Sequence, residues 1–226
     1  MDSDNHARIV VPGDLISEEP MKVGDGVFIE DGKIYASVYG VLDKKDRIVR
    51  VIPLAGKYIP RKGDTVIGSV TEINFSSWIV DISSPYIARL HISEFPKRIE
   101  AEEMGRYIRV GDLIVAGVQE VGMAMTVDLT LKDRQTTVLR GGNLIEISHT
   151  RVPRLIGRGG SMISMIKRES RCSVFVGQNG RIWLQGTPEN MNLAARAIEM
   201  VVREAHTAGL TNRVVEYMKA CRERMK

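Results

Sequence analysis

Residues 152–166 read Val152-Pro-Arg-Leu-Ile-Gly-Arg-Gly-Gly-Ser-Met-Ile-Ser-Met-Ile166, and this stretch decides how the C-terminal part of the chain folds. Gly157 and Gly160 enclose Arg158 and Gly159, while Val152, Ile156, Ile163 and Ile166 recur at near-helical intervals on either side. The spacing predicts two short helices sharing an apolar face, joined by a bare, basic glycine loop. Without Cβ atoms the loop backbone can approach a phosphate chain closely, and the N–H groups opening the second helix point at anions.

Outward from the loop, Leu144–Ser148 reads as a strand, and Cys172–Val176 and Arg181–Gln185 as a hairpin around Gly177-Gln-Asn-Gly180. Thr187-Pro188 starts a helix with an N-cap and a proline at its first position. Leu193, Ala194, Ala197, Ile198, Val201, Val202 and Ala205 lie on its buried face. Gly209-Leu210-Thr211 ends it and caps a last amphipathic helix carrying Val214, Met218, Cys221 and Met225. This β-α-α-β-β-α order around a G-x-x-G loop resembles an α+β type I KH domain, which clamps single-stranded RNA or DNA. The candidate clamp residues are Arg154, Ile156, Gly157, Arg158, Gly159, Gly160, Lys167 and Arg168. The second tetrad, Gly177–Gly180, lies between strands rather than helices, and Asn-Gly there is a hairpin turn signal, so its expected role is structural.

Charge follows the loop. The net charge is +4, yet residues 150–226 hold 14 Lys and Arg against 6 Asp and Glu, and residues 1–149 hold 18 against 22. The basic block is the footprint expected of nucleic-acid binding, although Arg222, Arg224 and Lys226 also suit an ordinary solvated helix face.

The middle of the chain is β-patterned. Lys62-Gly-Asp-Thr-Val-Ile-Gly-Ser-Val70 has a near echo in Val110–Val118, and Gly68 and Gly117 are expected to mark bulges or sharp strand bends. With Ser77–Ile82, Ile87–Leu90 and Thr126–Lys132 they make about five strands, a five-stranded OB-type β-barrel. Such barrels bind single strands with stacking aromatics and basic loops, which nominates Phe75, Trp78, His91, Lys97 and Arg98. Trp78 reads equally as a core residue, whereas Phe75, beside Asn74 and Ser76, is the better exposed candidate. Before the barrel, Arg8–Val11, Gly26–Ile29, Lys33–Val38 and Arg47–Ile52 alternate with turns at Pro12-Gly13-Asp14, Val23-Gly24-Asp25, Asp31-Gly32 and Asp43–Asp46. That sheet is too thin for a generous core, which makes it a candidate docking module. The fold class is therefore multidomain: an all-β N-terminal module (1–58), the barrel (59–136), and the KH domain with its C-terminal helix (137–226).

Composition excludes other classes. At 43% hydrophobic residues the chain can build cores, and no apolar run approaches the roughly 20 residues of a membrane span. Met1-Asp-Ser-Asp-Asn-His6 lacks the layout of a signal peptide, so a cytoplasmic protein without membrane partners is expected. Cys172 and Cys221 read as small buried hydrophobes rather than a disulfide or metal ligands. Asp81, Asp112 and Asp128 could serve an RNA-cleaving enzyme, but each has a strand or turn context, and no catalytic residue, cofactor or metal is expected.

Across nearly its whole length the chain resembles the KH-containing cap protein of the archaeal exosome. The resemblance rests on Val10-Val-Pro-Gly-Asp14, Gly32-Lys-Ile-Tyr-Ala-Ser-Val38 with Gly40, Tyr58-Ile-Pro-Arg-Lys-Gly-Asp-Thr-Val-Ile-Gly68, a barrel of ribosomal S-one type, and Val176-Gly-Gln-Asn-Gly-Arg-Ile-Trp183. It implies a non-catalytic subunit, three of which cap a hexameric ring of phosphorolytic RNase-PH-like subunits and feed single-stranded RNA, 3′ end first, into the pore. It also implies that the N-terminal module anchors the cap and that the Gly177–Gly180 tetrad belongs to the KH fold itself. The other cap type of this machine carries a zinc ribbon, for which this chain has no paired-Cys motif. The alternative is a transcription or translation factor of the NusA kind, but those carry tandem KH units and no such N-terminal module.

Overall fold

The computed structural model describes residues 8–45, 48–205, 207 and 209–224. Met1–His6, Asp46 and Arg47 of the expected turn and strand, and Met225 and Lys226 lie outside the described residues, as does the side chain of Arg224. The chain forms two compact units, Met1–Gly56 and Lys57–Lys226.

The first unit holds β1 (Ile9–Val10), β2 (Leu15–Ser17), β3 (Lys22–Val23), β4 (Val27–Glu30), β5 (Lys33–Ala36), β6 (Gly40–Lys45) and β7 (Ile48–Pro53). They make two small sheets, in orders β1-β6-β7-β3 and β2-β5-β4. Asp31 and Gly32 both have positive φ, 49° and 76°, the conformation a two-residue turn needs to join β4 to β5. Val10, Ile16, Ile34, Ala36, Val49 and Val51 form the small core. Large apolar side chains including Ile9, Ile29 and Ile52 stay exposed.

The second unit begins with the barrel: β8 (Thr65–Ile73), β9 (Ser77–Asp81), β10 (Ile87–His91), helix α1 (Met104–Tyr107), β11 (Leu113–Val121) and β12 (Thr126–Thr130). The strands close in the order β8-β9-β10-β12-β11-β8, with only the β10–β12 pair parallel. Alternation fills the interior with Val66, Val70, Trp78, Val80, Ala88, Leu90, Ile114 and Leu129, and Met104 of α1 plugs one end. The bulges fall at Thr71 and Gln119, not at the glycines. Gly68 and Gly117 are instead buried where strands crowd, a Cβ on Gly68 colliding with Val80. Both drawn domain edges also move. Tyr58 packs in the barrel core, and β13 (Thr137–Leu139) extends the barrel sheet past residue 136 by pairing with β11.

The KH fold follows as β14 (Asn143–Glu146), α2 (Val152–Ile156), α3 (Ser161–Ser170), β15 (Ser173–Val176), β16 (Arg181–Gln185) and α4 (Pro188–Arg203), with α5 (Leu210–Arg224) packed on them. The sheet order β14-β16-β15 is antiparallel throughout. Thr187 caps α4 as its sequence predicts, its hydroxyl accepting from the Asn190 amide at 3.4 Å. The apolar face of α2 and α3 is rotated from the expected one. Val152, Leu155, Met162, Met165 and Ile166 are buried, whereas Ile156 and Ile163 are only half-buried.

The barrel and KH fold share one interface. Ile67 and Val115, on the outside of β8 and β11, pack with Leu139 and Trp183 in a small core of their own. The Gly177–Gly180 turn sits against β8, where a Cβ on Gly177 would lie 2.9 Å from the Ile67 nitrogen. Glycine is needed there for close approach. Asn179, 4% exposed, donates from Nδ2 to the carbonyls of Ile67 (2.8 Å) and Ile82 (2.9 Å) and accepts from the Ile67 amide (3.3 Å). The expected structural role of the tetrad thus includes joining the two folds.

Candidate nucleic-acid interface

The glycine loop has the geometry its composition anticipates. Gly157, Gly159 and Gly160 all have positive φ, at 74°, 57° and 77°. Gly157 combines its φ with ψ 174°, and a Cβ there would lie 2.9 Å from the Met162 Cβ, so only glycine fits. A Cβ on Gly159 would meet nothing within 4 Å, so that face of the loop is open. α3 starts at Ser161 directly behind it, presenting unpaired N–H groups and the positive end of the helix dipole.

Of the clamp candidates, Ile156 and Lys167 line a groove that Ile163 and β15 complete. This explains why Ile156 and Ile163 are left half-buried: they wall the groove instead of filling the core. Arg158 is exposed on the loop. Arg168 is exposed, with its Nε 3.0 Å from Glu169. Arg154 is half-buried and donates from Nε to the Ala205 carbonyl at 3.2 Å, so part of its donor set satisfies the end of α4.

The barrel candidates divide. Trp78 is fully buried, donates from Nε1 to the Ile108 carbonyl at 3.1 Å and packs against Phe95 at 6.0 Å. A base cannot stack on it, and its nomination as a binding residue is corrected to a core role. Phe75, three residues earlier, is 87% exposed in the β8–β9 turn. That turn lies beside His91, because the Ile92 amide donates to the Ser76 carbonyl at 2.8 Å. His91 is exposed, with Nδ1 2.7 Å from the Ser93 hydroxyl. Lys97 and Arg98 line an open depression of about 430 Å³ with Ser93 and Lys132. Phe75, His91, Lys97 and Arg98 therefore gather at one end of the barrel.

Two basic residues on this face were missed by the sequence reading. Arg89 is exposed on β10 between the inward Ala88 and Leu90, and pairs with Asp128 at 2.6 Å. Lys132 follows β12 and lies 3.4 Å from Glu94. For Arg89 the signal was present, since strict alternation in Ile87-Ala-Arg-Leu-His91 puts it on the same face as His91.

The carboxylates weighed as metal ligands have structural partners. Asp81 bonds Arg181, Asp112 accepts from the Arg109 amide at 2.8 Å, and Asp128 holds Arg89. Burial opposes ionisation of Asp81, but hydrogen bonds from Arg181 and the Ser83 amide, with the guanidinium charge, outweigh it and hold the carboxyl below its ordinary value. Burial, with the nearby Arg61 charge, keeps the His149 imidazole below its usual range. Among the described residues no helix is long and apolar enough to cross a membrane, and no group of three or more His, Cys, Asp or Glu could hold a metal ion.

Comparison with known proteins places each part. Residues 7–55 match the family described as exosome RNA binding protein RRP4 N-terminal domain, 57–120 match RRP4, S1 domain, and 144–200 match the KH domain. The exosome complex component Rrp4 of Methanosarcina mazei is 46% identical over 219 residues, covering 97% of this chain and 84% of that protein. The same component from Thermoplasma acidophilum is 44% identical over 213 residues, covering 94% and 90%. A crystal structure described as an exosome complex RNA-binding protein superposes with a TM-score of 0.69 at 32% identity, over 76% of this chain and all of that one.

Proposed function

Because the chain belongs to the Rrp4 family of exosome components, we propose that it is the non-catalytic RNA-binding cap of an archaeal exosome, acting in the cytoplasm. Three copies sit on a hexameric ring of RNase-PH-like subunits, recruit single-stranded RNA and guide its 3′ end to the ring's phosphorolytic sites. The N-terminal module, rich in exposed apolar side chains, docks on the ring. The observation that carries the RNA role is the open loop of three left-handed glycines at the head of α3, opening into a groove flanked by Lys167. Phosphates lie on the loop amides near Arg158, and the exposed Phe75 with His91, Lys97 and Arg98 offers stacking and charge on the barrel. The match of residues 7–55 favours this over the NusA-like alternative.

The test is RNA decay by the reconstituted ring with and without the chain, alongside a Gly159→Asp variant. At φ 57° and ψ 25°, Asp tolerates the Gly159 backbone, so the variant adds a carboxylate at modest conformational cost. RNA affinity at low salt should fall roughly tenfold, as expected for a like charge placed against phosphate. Added chain should accelerate decay, and the variant less so. Unchanged decay on adding the chain, or degradation of RNA by the chain alone with Mg²⁺ or phosphate, overturns the proposal.

A further inference from the structure

The groove beside the glycine loop does not end within the KH fold. Its cavity, about 330 Å³, is walled by Ile156, Ile163 and β15, and its far end is closed by Thr65 and Gln135 of the barrel and by Gln178 of the tetrad. The β15–β16 turn, which would otherwise leave that end open, is folded onto β8. The Gln178 amide donates to the Thr65 carbonyl at 2.9 Å, and the Thr65 amide donates to Gln178 Oε1 at 2.5 Å.

This pairing fixes the Gln178 side chain with its oxygen engaged and its Nε2 donors available. Gln135, exposed between β12 and β13, has no hydrogen-bond partner among the described residues. Apolar walls with two amides at the closed end suit a planar, uncharged, hydrogen-bonding ring. The volume is at the lower end for a small-molecule site, in keeping with one ring system and not a larger ligand. Lys167 stands seven residues along α3 from Gly160, about 10 Å by the helical rise. A strand whose phosphates rest on the loop can therefore continue toward Lys167 while one base drops into the cavity.

We propose that the joint between barrel and KH fold is a nucleobase pocket, built by both, in which Gln135 and Gln178 read the edge of one base of the bound RNA. An amide side chain can both donate to and accept from a base edge, so the pocket discriminates between bases, whereas loop and lysine contacts do not. The proposal rests on the RNA-clamping role of the glycine loop.

The test uses the full chain, fluorescently labelled oligoadenylate, oligocytidylate and oligouridylate of equal length, and anisotropy at low salt. Wild type should bind the three unequally, and Gln135→Ala should narrow the spread between best and worst by about fivefold. Gly159→Asp should weaken all three by a similar factor and leave the spread intact. Gln135 has no structural bond to lose, so its variant should unfold at the wild-type temperature. Equal wild-type affinities, or an unchanged spread in Gln135→Ala, overturn the pocket. Photocrosslinking with an oligonucleotide carrying one 4-thiouridine gives a second readout. Crosslinks should fall on both the Gln135 peptide and the Phe175–Gln178 peptide, and confinement to the KH peptide also overturns it. If instead Gly159→Asp alters no affinity while the Gln135 peptide still crosslinks, the clamp reading fails and the pocket stands.

Discussion

Asn179 does with one side chain what a turn residue rarely does. Its amide bonds three backbone groups of the barrel, two at Ile67 and one at Ile82, from within a KH hairpin. Asn179→Ala withdraws all three partners in a dry interface, a loss on the order of 3 kcal/mol. Asn179→Asp should cost more, since a carboxylate would face two carbonyl oxygens. Urea unfolding checks both, and a midpoint unchanged in Asn179→Ala would mean that apolar packing alone holds the interface. Single residues also show how far local sequence reaches. Trp78 and Phe75 share a neighbourhood and a chemistry, yet one is core and the other exposed. The alternation of Trp78 with Val80 and the polar neighbours of Phe75 carried that distinction. Asn179 is a harder case, because Asn-Gly explains the turn and gives no sign of partners about a hundred residues away.

Arg181 of β16 ties three strands together. It is 6% exposed, its Nε lies 2.7 Å from Glu146 of β14, and its guanidinium bonds both the carboxylate and the carbonyl of Asp81 at the end of β9. Because Asp81 is held below its ordinary value near 3.8, its ion pair stabilises the fold fully above that pH. Protonation removes this contribution as pH falls below 3.8 toward the lowered folded value. Urea midpoints from pH 5 to pH 3 should therefore drop more steeply for wild type than for Asp81→Asn, and parallel curves would refute the linkage. The same arginine tempers the charge argument. The excess of basic residues after 150 counts Arg181, which is spent inside, and Arg154 and Arg213, which bond Ala205 and Glu204. Helix–loop–helix order was legible because its periodicity is local. The partners of these arginines were not, because ion pairing leaves no periodic trace.

At the scale of the molecule, the chain divides after Gly56 and not between barrel and KH fold. The fragment 57–226 should fold alone and keep RNA affinity within about threefold of the full chain, since loop, groove and barrel face all lie within it. It should fail to accelerate decay by the ring, having lost the unit that carries Ile9, Ile29 and Ile52 on its surface. Anisotropy and decay assays on the two proteins separate these outcomes, and a fragment that still stimulates the ring would move the docking role elsewhere. Three domains were read correctly as folds, but their coupling was not, because the residues that join them look like ordinary strand and turn positions. The seating of Gly177–Gly180 on Thr65–Gly68 has a consequence for exchange between proteins. The hairpin and the barrel strand are matched as a plug is to its socket. A chimera that imports a foreign KH fold would bring a turn cut for open water and press it against Ile67. Neither half can be traded alone, and the unit of transplantation is the pair.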